Sequence, residues 1–130
     1  MKMPLSEIID RYTITKLKSE RTSEDVSEEL NSYKREIDKH SPSETEVFVD
    51  KLYEINGRLW DKETKASREI NSRETAPEDT DYSEIGKLAI DVREINCERN
   101  GVKAEVVDFF SDGFKEIKIN YTKTNYGKNT

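Results

Sequence analysis

Asn56 and Glu63 stand seven residues apart in a stretch that, wound as a helix, puts Phe48, Leu52, Ile55, Leu59, Ala66 and Ile70 on one face. Both fall in the middle of that face. An amide and a carboxylate inside a core stripe need partners, because burying them unpaired costs several kcal/mol. Arg99 has the same standing further along, where it interrupts an apolar stripe of Ile85, Leu88, Val92, Ile95, Val102, Val106 and Phe109. Two kinds of chemistry suit such groups. They can satisfy one another as a Glu63–Arg99–Asn56 network, with Asp10 and Asn96 nearby, and so fix helix register. Or they can line a pocket for a small polar ligand, with Trp60 as one wall and Arg99 and Arg68 holding a phosphate or carboxylate. In an enzymatic version Glu63 serves as general base or metal ligand on a nucleotide or sugar-phosphate.

Other chemistries rank lower. Cys97 is the only cysteine, so it forms no internal disulfide and no thiolate metal site. The single histidine, His40, precedes Ser41-Pro42, where a C-terminal helix cap is expected. Glu63, Asp91, Glu94 and Asp10 would have to converge to hold a divalent cation, and the paired-glutamate pattern of all-α nucleotide pyrophosphohydrolases is not reproduced in convincing form. There is no glycine-rich phosphate loop, nucleophile elbow or metal-binding histidine pair. No cofactor and no metal are expected.

Four helices have to position these groups. Pro4 suits the first turn of a helix running to about Arg21, with Leu5, Ile8, Ile9 and Tyr12 on one face and Ile14 and Leu17 well round from it. Asp10 and Thr13 lie at the boundary of a helix that is therefore expected to be buried on two sides. Thr22-Ser23-Glu24-Asp25 is a capping signal for a second, outer helix with the stripe Val26, Leu30, Tyr33 and Ile37. Ser43 with Glu46 reads as a capping box for a third helix reaching about Asn71, and Gly57 inside it suggests close approach of another backbone. Ser72–Asp81 reads as a loop. The fourth helix starts near Tyr82-Ser83 and is expected to continue through Asn100-Gly101, because the stripe keeps its phase there. A second stripe of Ile90, Cys97, Gly101 and Ala104 runs along its back, which marks either a central helix or a dimer interface. Beyond the turn at Ser111-Asp112-Gly113, residues Phe114–Tyr121 alternate as a short strand or arm, and 122–130 form a polar, flexible tail.

Composition sets the outer bounds. At 130 residues, with 32% hydrophobic and 38% charged residues, the chain suits one domain of long helices with solvated outer faces. A net charge of −6 argues against nucleic acid and anionic membrane as partners. No transmembrane run or apolar signal core is present, which points to the cytoplasm.

Three blocks carry a resemblance: LSEIIDRYTITKLKSER at Leu5–Arg21, NGRLWDKETKASR at Asn56–Arg68 and NCERNGVKAE at Asn96–Glu105. They resemble the signature blocks of a small bacterial family catalogued only as a domain of unknown function and sometimes joined to tetratricopeptide repeats. The matching positions are Asp10, Thr13, Ile14, Lys18, Glu20 and Arg21, then Asn56, Leu59, Trp60, Glu63 and Arg68, then Asn96, Arg99, Lys103 and Glu105. Gly101 and a longer C-terminal tail depart from the pattern. The resemblance brings no activity with it.

The expected architecture is an all-α antiparallel bundle of four helices with a short C-terminal strand or arm, forming one helical domain over 1–121. The expected function is a non-enzymatic interaction or small-polar-ligand-binding module whose site comprises Asp10, Asn56, Trp60, Glu63, Arg68, Asn96 and Arg99. It is expected to form a homodimer through helix four or the C-terminal arm. The alternatives are the enzyme on a nucleotide or sugar-phosphate and a purely structural oligomer.

Overall fold

The computed structural model describes residues 3–75 and 82–111, with side chains at 3–68 and 82–111. Four helices account for nearly all of this: α1 (Leu5–Arg21), α2 (Ser27–Ile37), α3 (Pro42–Thr75) and α4 (Tyr82–Phe110). The strand or arm expected over Phe114–Tyr121, the tail after it and residues 76–81 of the expected loop lie outside the described residues.

Local chemistry sets the helix ends. The Pro4 carbonyl accepts the backbone N–H groups of Glu7 and Ile8, opening α1. The Thr22 hydroxyl turns back to the Lys18 carbonyl and closes it. Asp25 Oδ1 accepts both the backbone N–H and the hydroxyl of Ser27, at 3.1 and 2.7 Å, and so fixes the start of α2. The capping box expected at Ser43 is displaced. Pro42 is the first residue of α3, and the Ser41 carbonyl accepts the N–H groups of Glu44 and Thr45. Proline at the first helical position loses nothing by lacking an N–H, which explains the earlier start. At its far end α3 extends to Thr75, so Ser72–Thr75 is helix where a loop was expected. α4 runs unbroken through Asn100-Gly101. Ser111 follows it with φ 55°, the left-handed turn that often terminates a helix.

α3 and α4 form an antiparallel hairpin. Phe48 meets Phe109, Lys51 meets Glu105, Arg58 meets Glu98, Lys62 meets Asp91 and Lys65 meets Glu84, so position rises along one helix as it falls along the other. α1 packs against both and also carries α2 on its outer side. The core lies where α1, α3 and α4 meet: Leu5, Ile8, Ile9, Phe48, Leu52, Ile55, Leu59, Ile95, Val102 and Val106 are buried together, with Ile37 of α2. α1 is buried on two sides, as its double stripe implied, since Leu17 and Thr15 are buried along with Leu5 and Ile9.

Two expectations about burial are corrected. Phe109 was placed in the core stripe but is 56% exposed, stacking edgewise on Phe48 and Phe110. A stripe spaced mostly three and four apart drifts around a helix of 3.6 residues per turn. By Phe109 it has turned far enough to leave the ring at the edge of the core, against Phe48 of α3. Gly57 meets no neighbouring backbone. A Cβ built there would lie 3.6 Å from Arg21 Nη2 and 3.9 Å from Leu17 Cδ2, ordinary contact distances to side chains. Gly57→Ala is therefore expected to raise the stability by roughly 0.5–1 kcal/mol, the helix-propensity difference, in urea unfolding. A loss instead would mean that Leu17 or Arg21 has no room to give.

Candidate functional site

The polar residues of three helices converge on Asp10. It is 1% exposed, on the strip of α1 between the Ile9 and Leu17 faces. Its Oδ1 accepts hydrogen bonds from Arg99 Nε and Asn56 Nδ2, each at 3.0 Å, and its Oδ2 accepts one from Arg99 Nη2 at 2.6 Å. Lys103 Nζ lies 3.8 Å from Oδ2 and 2.6 Å from Glu7 Oε2. The second Asn56 amide hydrogen goes to Thr13 Oγ1 at 2.9 Å, and Thr13 donates its hydroxyl to the Asp10 carbonyl at 2.8 Å. Arg99 Nη1 is steadied by Asn96 Oδ1 at 3.3 Å.

Helical spacing explains why these groups arrive together. Glu7, Asp10 and Thr13 step along one face of α1 at intervals of three, while Asn96, Arg99 and Lys103 step along one face of α4 at three and four. Laid antiparallel, the two faces put two carboxylates against two cations. Asn56 completes the set from α3 and is itself 4% exposed. Among the described residues, nothing donates to its buried Oδ1.

Electrostatics hold the cluster ionised. Burial alone would push the Asp10 carboxyl up, but the hydrogen bonds from Arg99 and Asn56, with the charges of Arg99 and Lys103, hold it below its ordinary value. Its hydrogen bond to Asp10 raises the Arg99 guanidinium further, against its own desolvation. A carboxylate with both oxygens engaged and a lowered pKa is a poor general base at neutral pH. An arginine engaged bidentately with it has little left for an incoming anion. The arrangement suits holding three helices in register.

The expected site divides accordingly. Asp10, Asn56, Asn96 and Arg99 come together. Glu63 does not join them: it is exposed, and the carboxylate paired with Arg99 is Asp10. The reason lies in the length of α1. Arg21, its last residue, reaches Asp61, so beyond that level no third helix covers the α3–α4 pair. Glu63 points the right way but past the end of α1, close enough only to add to the field on Arg99. Trp60 is half-buried to one side, with the Arg21 guanidinium 5.9 Å above its ring. Arg68 is exposed and lies twelve residues, or about 18 Å, along α3 from Asn56. It shares no site with Arg99. Glu7, Thr13 and Lys103 belong to the cluster and were not among the expected site residues. The signal for them was the matched spacing of Glu7 and Asp10 against Arg99 and Lys103.

Elsewhere the surface is dense with charge pairs. Among the described residues no three His, Cys, Asp or Glu side chains gather as a metal site would require. No described helix is long and apolar enough to cross a membrane. The outer seam between α3 and α4, on the side away from α1, carries two adjoining grooves of about 290 and 330 Å³ that share Glu98. Ile55, Ile95 and Val102 form their floor. No protein-family model, no curated protein and no solved structure matches this chain.

Proposed function

We propose that this chain is a non-enzymatic interaction module that self-associates through the outward face of α4, with the Asp10 cluster as its internal brace. The observation that carries the reading is the closure of that cluster, in which both Asp10 oxygens are engaged by protein groups. With the polar centre engaged in packing, activity falls to the surface. There the outward stripe of α4 is one of the apolar patches among the described residues: Ile90 is 50% exposed, Cys97 and Gly101 are exposed, and a Cβ at Gly86 or Gly101 would meet open space. Small residues let a second helix approach closely, and Ile90 supplies apolar area to bury.

Sedimentation velocity over a concentration series tests this. The wild-type chain is expected to form a dimer, and Ile90→Glu to sediment as a monomer with unchanged helical content by circular dichroism and a somewhat lower melting temperature. A wild-type monomer at every concentration sinks self-association. A thermal-shift panel of nucleotides, sugar phosphates and divalent cations addresses the enzyme alternative, and a ligand that stabilises the wild type but not Glu63→Gln would revive it.

A further inference from the structure

The α3–α4 outer seam has the shape and charge of a docking groove, and the chain itself carries a matching segment. Six carboxylates line the seam: Glu54, Asp61, Asp91, Glu94, Glu98 and Glu105. Three cations, Lys51, Arg58 and Lys62, stand among them and Arg21 reaches Asp61 from α1, which leaves two carboxylates in excess. Its floor is apolar, and at the end nearest the C-terminus of α4 two large apolar side chains stand open, Val47 at 51% and Phe109 at 56% exposure. An acidic groove with an apolar floor and an apolar end selects a basic segment with spaced apolar residues.

Phe114–Thr130 has that composition. It carries Lys115, Lys118, Lys123 and Lys128 against the single acid Glu116, in a chain whose overall charge is −6. Ile117, Ile119 and Tyr121 alternate through it. It also begins in the right place. α4 ends at Phe110, and Ser111, with its left-handed backbone, starts a reversal beside the open Phe109 ring. From Glu105 back to Asp91 the groove follows fourteen residues of helix, about 21 Å. The eight residues Phe114–Tyr121 span about 26 Å when extended, so they match its length. By length alone, an extended course starting at Phe109 would bring Lys115 level with Glu105 and Lys118 level with Glu98.

We propose that the α3–α4 groove is the seat of this chain's own C-terminal segment, Phe114–Lys123, taken up by the same molecule. In an extended segment Lys115, Ile117, Ile119 and Tyr121 share one side and Lys118 the other, so the apolar side would lie over the seam and the open Phe109 ring while Lys118 would reach Glu94 and Glu98 along its rim. The segment would then compete with any outside basic peptide for the groove, making it a built-in occupant. This goes beyond the self-association reading, and the two surfaces adjoin at Gly101, which lines the groove and belongs to the outward stripe of α4, so the Ile90→Glu chain is used to keep them apart.

The full-length chain provides the test, since its one cysteine, Cys97, is exposed on α4 near the groove. In the Ile90→Glu chain, which removes the proposed self-association, a nitroxide attached there should strongly broaden the amide signals of 115–121 and much less those of 126–130. With Lys115→Glu/Lys118→Glu added to it, changes that touch no folded contact among the described residues, the broadening of 115–121 should fall to the level of 126–130. A sample mixing isotope-labelled chains without nitroxide and unlabelled chains with it separates the sources. No broadening in the mixture supports uptake by the same molecule, while broadening there assigns the groove to a second copy and overturns the proposal. Equal, weak broadening throughout 112–130 in the Ile90→Glu chain overturns it as well. Self-association of Ile90→Glu is measured separately, so the two readings fail independently.

Discussion

Asp10→Ala is expected to cost about 3–5 kcal/mol in equilibrium urea unfolding, because it strands Arg99 beside a buried site without its carboxylate partner and leaves Lys103 paired with Glu7 alone. The side chains of these cations are only 25% and 15% exposed, so neither swings wholly into water without giving up its packing. Asn56 loses an acceptor at the same time. For a domain of this size such a loss is a large part of the total stability. Asp10→Asn keeps one acceptor and should cost less. A loss below about 1 kcal/mol for Asp10→Ala would place the cluster among ordinary surface pairs, which contribute that much at most. A double-mutant cycle with Arg99→Met isolates the pair, and a coupling of about 0.5–3 kcal/mol is expected for residues in direct contact.

The same pair predicts a pH dependence. The folded-state pKa of Asp10 lies below its ordinary value of 3.8, so the native state favours the ionised form. Its contribution is complete above the unfolded value, near 3.9, and is lost as pH falls through the lower native one. The stability gap between wild type and Asp10→Asn should therefore be constant around neutrality and shrink below about pH 4. A gap that widens on acidification would contradict the sign.

Leu52→Ala is expected to cost about 2–5 kcal/mol. Leu52 is fully buried on the face of α3 that meets both α1 and α4, and its removal leaves a cavity that three packed helices close only partly. Urea unfolding with an unchanged m-value is the expected readout. A loss under 1 kcal/mol would mean that the three-helix core repacks freely, and that the Asp10 cluster, rather than apolar packing, carries the register.

Helix number, the ends of α1, the continuity of α4 through Asn100-Gly101 and the antiparallel register of α3 on α4 were all legible from apolar periodicity and connection length. The level of Asn56 with Arg99 and of Glu63 with Asp91 followed from the same geometry. So did the unusual standing of Asn56 and Arg99, since a polar group on a core stripe is visible in one dimension, whereas Asp10 showed only as a boundary residue and Asn96 as a neighbour. What periodicity cannot supply is which neighbour a core-facing polar group meets, because it gives a direction on one helix and no partner. Arg99 faced the core, and two carboxylates were within reach by register, Glu63 on α3 and Asp10 on α1.

The tertiary structure decided between them through the length of α1. This helix ends at the level of Asp61, so Asp10 is enclosed by three helices and Glu63 by two. Desolvation and charge pairing then favour Asp10, where the surrounding dielectric is low and Lys103 and Asn56 complete the set. The drift of the α4 stripe follows from its own spacing, and the packing of α3 beside it decided that this drift leaves Phe109 exposed. Sequence periodicity determined which residues face inward. Only the meeting of α1, α3 and α4 decided which of them are enclosed, because enclosure depends on where a third helix stops.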